Sequence, residues 1–576
     1  MKALKLGVAA ISLVASGQAF ADTYKVVAKP VPEYSMSSSS VNFVNNRVGQ
    51  SGVALKNVKP LFGDIVTFDV NAPSAEQALE NMKRTGAFSD VAIDIRIQAP
   101  TEPPRRVLAT SGDGTFPNDP YFNEQLSYFG EPGKTYRANT YYTGHSIVPL
   151  MQESYDGDEV RIGIIDGGFA RIDDINWADE GHFDFIDNDL DPFHDIENFP
   201  ECENSHGVGV AGAAAAIMND GKGIVGSVGK AKVFAARALQ CGGGYLSDAA
   251  YAIAALSGEQ VEFAEGDPEA SLPALDEPVD IINMSLTGLM DSPIDCPFYL
   301  DEAIRLASDK GVLLFASAGN SSAELGEIEG TKKAMPAMCG DVVNVAATGI
   351  DEDQADFTNY GDVDLAFRGY DVAAPAIFDG VAEIGYWEGT SFSSPLIAGV
   401  GGIIKQKYPD TNYKMFMEAV ELSAEPYSAD SLCVTNGDVC GAGFINVKAL
   451  DEALSFLNDD IALKPILDGE SVCDASFLEK YIGIEYPICE HYRLDISEYA
   501  FRDEQQVFVY QIEKGIDTSV VEISEFEHKA FSSEDALLLR VQSDQYDYYY
   551  QSCEADVQCG DDVKPLVASP PSSECH

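Results

Sequence analysis

The stretch Val160–Gly168, VRIGIIDGG, decides the fold. Up to Asp166 it is nearly all apolar. A strand reads this way when both of its faces are covered, as in a parallel sheet. Open α/β sheets place their ligands beyond the carboxyl ends of their strands, and Asp166 stands at such an end. Asp-Gly-Gly is also good turn chemistry, so Asp166 by itself carries no function.

From about Asp119 to Phe456 similar strands alternate with helical runs. AKVFAARAL, VDIINMSL, VLLFASAGN and VVNVAATG read as strands; HGVGVAGAAAAIM, LSDAAYAIAALSG and FYLDEAIRLASDKG read as helices. This succession predicts an α/β domain with a mostly parallel sheet. Before it, residues 22–112 hold no cysteine. They read as strand (DIVTFDV), helix (SAEQALENMKRTG, with Ser74 as N-cap) and strand (AFSDVAIDIRIQA), a small α+β module. The Pro/Gly-rich PTEPPRRVLATSGDGTFPNDP follows as a linker. Residues 457–576 carry five of the 11 cysteines and runs such as QQVFVYQI and ALLLRVQS, which predict a β-rich extension.

The N-terminus, MKALKLGVAAISLVASGQAFADTY, has Lys2 and Lys5, a short apolar run and Ala19-Phe20-Ala21. It reads as a secretory signal, residues 1–21, cleaved after Ala21. No other stretch reaches the roughly 18 apolar residues of a spanning helix. The expectation is a soluble protein without a membrane anchor, extracellular or periplasmic, in which disulfides are permitted. Cys202–Cys241, Cys296–Cys339, Cys433–Cys440, Cys473–Cys489 and Cys553–Cys559 are the pairings the spacing suggests, with Cys575 left over. The net charge of −56 argues against nucleic acid as a partner. It suits a soluble protein in a salty medium.

Two further residues join Asp166. His206 opens SHGVGVAGAAAA, a helix of small residues whose glycines cost helix propensity and must be compensated by close packing. His182 and His194 compete with it, but both sit in an acidic loop that better suits a metal or solvent. Ser391 lies in YWEGTSFSSPLIAGVGGII, where a buried helix begins. An N-cap role would satisfy Ser391, yet Thr390, Ser393 and Ser394 offer caps nearby, Gly389 permits a tight turn, and Pro395 fits a first helical turn. Helix N-terminal N–H groups would also stabilise an anion formed beside Ser391.

The chain order Asp, His, Ser is that of subtilisin, one of the general worked examples of such sites. IGIIDGGF, SHGVGVAG, SAGN (Ser317–Asn320) and GTSFSSPLIAGV together resemble the subtilisin-like serine proteases, the subtilases. INMSLTG and FTNYG support the resemblance, which covers about residues 119–456. It implies a three-layer α/β domain with a mostly parallel sheet. It also implies that Ser391 is the nucleophile, His206 the general base and acid, and Asp166 the group that orients His206. Asn320 would donate to the oxyanion with the Ser391 N–H. Ser285, Leu286, Thr287 and Gly288 resemble the substrate-binding strand, to whose edge an extended peptide would pair. Ser317, Ala318 and Gly319 resemble the second wall of the specificity pocket, whose small residues leave room for a sizeable apolar side chain.

The motifs depart from the family in detail: HGVGVAG, DGG, GTSF and APA (Ala374–Ala376) replace its usual forms. None removes a proton-transfer group. The implied activity is endopeptidase cleavage of proteins by a secreted zymogen. Residues 22–112 would be its inhibitory propeptide, cut in the linker near Arg106–Pro120. No cofactor is expected for catalysis. The acidic loop His182–Asn198 offers Asp187, Asp189, Asp191 and Asp195 as oxygen ligands for a structural calcium. A silent subtilase scaffold acting as a binding protein is the alternative. An α/β-hydrolase esterase is set aside, because it requires Gly-x-Ser-x-Gly and the order Ser, Asp, His.

Overall fold

The computed structural model describes residues 22–31, 55–98, 103–107, 116–131, 135–136, 139–140, 144–262, 271–272, 275–350, 353–437, 439–458 and short strands between 464 and 566. The signal segment and the Cys473, Cys489 and Cys575 positions lie outside the described residues. The chain divides into two compact units, one built mainly from its first 95 residues and one that starts at Arg96.

The first unit is a four-stranded antiparallel sheet with one helix. Strands β1 (Asp22–Pro30), β2 (Leu55–Pro60), β3 (Val66–Ala72) and β4 (Phe88–Ile93) are ordered β2-β3-β1-β4. Helix α1 (Ala75–Arg84) connects β3 to β4. Ser74 Oγ accepts the Gln77 N–H at 3.2 Å, the expected cap. Ala78 and Met82 pack with Val26, Phe68 and Val70 in the unit's own core. The central β1 has no counterpart among the strands expected from sequence, because it runs straight on from the signal segment.

The second unit opens with two short strands, β5 (Arg96–Ile97) and β6 (Arg105–Arg106). Its main sheet has seven strands, all parallel. In chain order they are β7 (Val160–Asp166), β8 (Phe183–Asp184), β9 (Ala231–Arg237), β10 (Ile281–Met284), β11 (Leu313–Ser317), β12 (Val342–Thr348) and β13 (Leu365–Arg368). Spatially they run β8-β9-β7-β10-β11-β12-β13. The order reverses beside β7, so the carboxyl ends of β7, β9, β10 and β11 surround a topological switch point.

Both faces of this sheet are covered. Ile162 and Ile164 of β7 share a core with Phe315 of β11 and with Leu396, Ile397 and Val400 of the long helix Thr390–Lys407. Gly163 turns the other way and receives Leu256, from the helix Leu246–Leu256. This makes three layers, with every β7 residue except Arg161 buried. Among the described residues no helix is long and apolar enough to cross a membrane. Beyond residue 463 the described strands pair antiparallel, which fits a β-rich extension.

Candidate active site

Asp166 ends β7 and is fully buried. Its Oδ1 accepts the Gly167 N–H at 2.7 Å and meets His206 Nδ1 at 2.8 Å. His206 is the first residue of the helix His206–Ala215, all ten residues of which are buried. The ring stands edge-on to Trp387 and Phe392, with centroids 6.0 and 5.5 Å away. A base in this setting keeps one ring nitrogen on the carboxylate and leaves Nε2 for a reacting group. The small residues behind it have the predicted use. A Cβ on Gly212 would stand 2.3 Å from Pro375 Cδ, so only glycine lets the helix lie this close.

Ser391 is the second residue of the helix Thr390–Lys407, which Gly389 enters at φ 137°, a conformation that favours glycine. Pro395 lies deeper in this helix than a first turn. It has no N–H to give to the Ser391 carbonyl four residues back. The hydroxyl of Ser285 fills that place, donating to Ser391 O at 2.8 Å. Asn283 Nδ2 donates to Ser285 Oγ, and Ser394 Oγ donates to Asn283 Oδ1, so a buried polar chain ties the end of β10 to the helix start. Ser391 Oγ itself reaches Ser285 O at 3.5 Å. Contacts between such a hydroxyl and a base commonly tighten only with substrate bound.

Asn320 follows β11 in the loop after Gly319. Its Oδ1 accepts from Thr390 N at 2.9 Å and Thr390 Oγ1 at 2.8 Å. Fixing the oxygen turns Nδ2 outward beside Gly389, which precedes Thr390 and Ser391. Thr287 Oγ1 donates to Ser317 O at 2.8 Å, which ties Ser285–Gly288 to Ser317–Gly319. Leu286 and Ala318 are buried within them, and Gly288 opens the strand β14 (Gly288–Asp291).

Two features escaped sequence reasoning. Asn359, from FTNYG, is fully buried. It donates to Ala318 O at 2.7 Å and accepts from Ser321 N and Ala323 N at 3.0 and 2.9 Å, so it holds the loop that carries Asn320. The Gly243–Tyr245 strand offers an edge on which β5 pairs antiparallel, Ile97 with Gly244 and Arg96 with Tyr245. A Cβ on Gly243 would fall 2.0 Å from Ile97 O. Its signal was CGGGY, three glycines in a row, which also read as mere punctuation. The Cys202–Cys241 bridge, paired as the spacing suggested, ties the loop before His206 to this edge. Cys296–Cys339 and Cys433–Cys440 also form as paired from the spacing.

The acidic loop differs from its reading. Asp187 is 2.8 Å from Arg237 Nη1, so a cation of the chain already occupies its place. Asp189 and Asp191 accept N–H groups of their own loop, and Asp195 accepts from Glu197 N and Asn198 Nδ2. The four do not converge on a calcium. Among the described residues no group of three His, Cys, Asp or Glu side chains is placed to hold a metal. His182 is not a loop group but a core one. Its Nε2 meets Ala178 O at 2.8 Å, its Nδ1 accepts the Ala235 N–H, and burial pulls its pKa down to about 4. His194 Nε2 meets Glu203 Oε2 at 2.9 Å. Burial favours the protonated form of Glu203, but His194 and Arg237 outweigh it and hold the carboxyl below its usual range. Glu203 Oε2 also accepts the Gly168 N–H, so this network props the turn after Asp166.

The model of the subtilase family matches residues 157–439. A thermophilic serine proteinase of Bacillus sp. (strain AK1) is 30% identical over 322 residues, covering 53% of this chain and 69% of that protein. The chain belongs to the subtilase family. As a subtilase it is of the serine endopeptidase type, and the mostly parallel sheet accords with that family. The thermitase of Thermoactinomyces vulgaris is 29% identical over 293 residues, 50% of this chain and 85% of the thermitase. An extracellular protease of Xanthomonas campestris pv. campestris is 28% identical over 406 residues, 65% of this chain. The match spans 62% of the Xanthomonas protein's length.

Proposed function

We propose that this subtilase is a secreted endopeptidase, made as a zymogen, that cuts proteins through an Asp166–His206–Ser391 triad. Ser391 Oγ attacks the scissile carbonyl carbon while His206 Nε2 takes the hydroxyl proton. Asp166 fixes the ring by its Nδ1 and stabilises the imidazolium. The carbonyl oxygen, now an anion, is received by Asn320 Nδ2 and the Ser391 N–H at the helix start. The carbon–nitrogen bond then breaks as His206 returns the proton to the leaving amine. Water, deprotonated by the same ring, releases the acyl group and restores Ser391. Every proton in this cycle moves between the chain's own side chains, water and the leaving amine.

The observation that carries the reading is the buried 2.8 Å contact of His206 with Asp166 at the carboxyl end of β7. The signal-like N-terminus supports secretion, as does the description of the Xanthomonas relative as extracellular. The separate α+β unit supports an inhibitory propeptide. Casein hydrolysis by the purified, processed protein tests the proposal. Activity should vanish both with a serine-directed fluorophosphonate and in Ser391→Ala. A folded, processed protein that leaves casein intact would favour a silent binding scaffold.

A further inference from the structure

The chain treats its own cleft as a substrate would. From Tyr245 the pairing of β5 runs toward Gly243, and Leu239 and Gln240 beyond it line the hollow that Asp166 and His206 share. Polypeptide direction therefore carries β5 toward the catalytic residues from the N-terminal side. The next described segment, residues 103–107, lies on another edge. The hairpin of β15 (Val372–Phe378) and β16 (Val381–Trp387) leads straight into Gly389 and Ser391. Strand β6 adds to it antiparallel, Arg105 opposite Tyr386 and Arg106 opposite Gly385, and Val107 N donates to Ile384 O at 3.0 Å. Each step along β6 leads away from Ser391.

The side chains on this edge are matched. Arg105 pairs with Asp371 and, at 3.1 Å, with Glu388, three residues before Ser391. Arg106 pairs with Asp379 at 2.6 Å and Glu383 at 3.5 Å, and its guanidinium lies over Phe378 at 4.8 Å. Two consecutive arginines thus meet four carboxylates and an aromatic face while the backbone makes strand hydrogen bonds. Guanidinium forks suit carboxylates in this way, and strand addition is a general mode of peptide capture.

We infer that the β16 edge is a downstream subsite that selects substrates with paired basic residues on the C-terminal side of the cut bond. The inference rests on the endopeptidase reading and names a preference of that same site. Arg105–Arg106 is its internal occupant in the uncleaved chain. A cut in the linker near Arg106–Pro120 releases that segment, and basic segments of other proteins then take its place.

Internally quenched peptides test this with the processed enzyme. An Arg-Arg pair is walked through the first six positions after a fixed cut site, against Gln-Gln and Glu-Glu series. The expected result is one position where Arg-Arg raises kcat/KM roughly five- to tenfold over Gln-Gln, because these pairs are largely exposed. The advantage should shrink above 0.5 M salt. In Glu388→Gln combined with Asp379→Asn the Arg-Arg to Gln-Gln ratio should collapse toward one. Equal cleavage of all series would overturn the subsite while leaving the protease intact. Binding of a labelled PPRRV peptide to processed Ser391→Ala, followed by anisotropy against PPQQV, gives a reading that needs no turnover. Equal affinities there would also refute the subsite, whereas loss of turnover with selective binding would count only against the protease reading.

Discussion

Replacing Asn359 by alanine should slow the enzyme without touching any reacting group. The substitution removes one hydrogen bond to Ala318 O and two from the N–H groups of Ser321 and Ala323. Ala318 is fully buried, so its carbonyl loses a partner that water cannot replace, at a cost of about 1–3 kcal/mol. Ser321 and Ala323 lie nearer solvent, where each lost bond costs about 0.5 kcal/mol. The total is about 2–4 kcal/mol, or roughly 3–6 °C in Tm for a domain of this size. The same loop carries Asn320, whose Nδ2 must hold its aim to within a fraction of an ångström. Removing such an oxyanion donor outright lowers kcat by about 10²–10³, and a loosened one should lose about tenfold with KM little changed. The assay is a double-mutant cycle on a chromogenic peptide with Asn359→Ala, Asn320→Ala and both together. If Asn359 acts through Asn320, the double variant is no slower than Asn320→Ala by more than about twofold. Rate losses that multiply in full, or a drop in Tm with unchanged kcat, would refute this account.

Other outcomes follow from the same structure. Gly212→Ala drives a methyl into Pro375 and should cost about 1–3 kcal/mol, seen in urea melts, with a fall in kcat as His206 shifts. Removing the Cys202–Cys241 bridge by a double Ala substitution frees the Gly243–Tyr245 edge, so KM for long peptides should rise more than KM for short ones. Burial pushes Asp174 up to about 8 and Asp119 up to about 6, and Asp174 Oδ1 is buried without a hydrogen-bond partner. Such carboxyls keep a proton in the folded chain that the unfolded chain has released. Their contribution is therefore favourable at low pH and is lost as pH rises from about 4 to 8. In chelator-containing buffer Tm should fall over pH 5–8, and Asp174→Asn should flatten the slope; an unchanged slope would rule this source out.

The parallel sheet was legible because each of its long strands is apolar on both sides, a pattern that few other elements share. The proposed catalytic residues could be picked out for a related reason. They stand where such strands end or buried helices begin, and their spacing in the chain is kept by the fold. Long-range pairings were not. Asp187 looked like a calcium ligand because its partner, Arg237, is fifty residues away on β9. His182 looked like a loop residue because its sequence neighbours are acidic, while its spatial neighbours are Ala178 and the β9 backbone. The β15–β16 hairpin did announce itself. Asp379-Gly380, both at positive φ, form its two-residue turn, a recognised hairpin signal.

The helices that carry His206 and Ser391 touch main chain to main chain: a Cβ on Gly399 would lie 2.6 Å from Ala214 O. Side chains hop between rotamers on fast timescales, but a peptide backbone locked in a helix has no such freedom. The spacing between the two helices is therefore set like the gap between two rails bolted face to face, with no spring between them. Heat that sets surface groups swinging leaves that gap alone until the helices themselves part, so the rate should climb smoothly with temperature and then stop abruptly at unfolding.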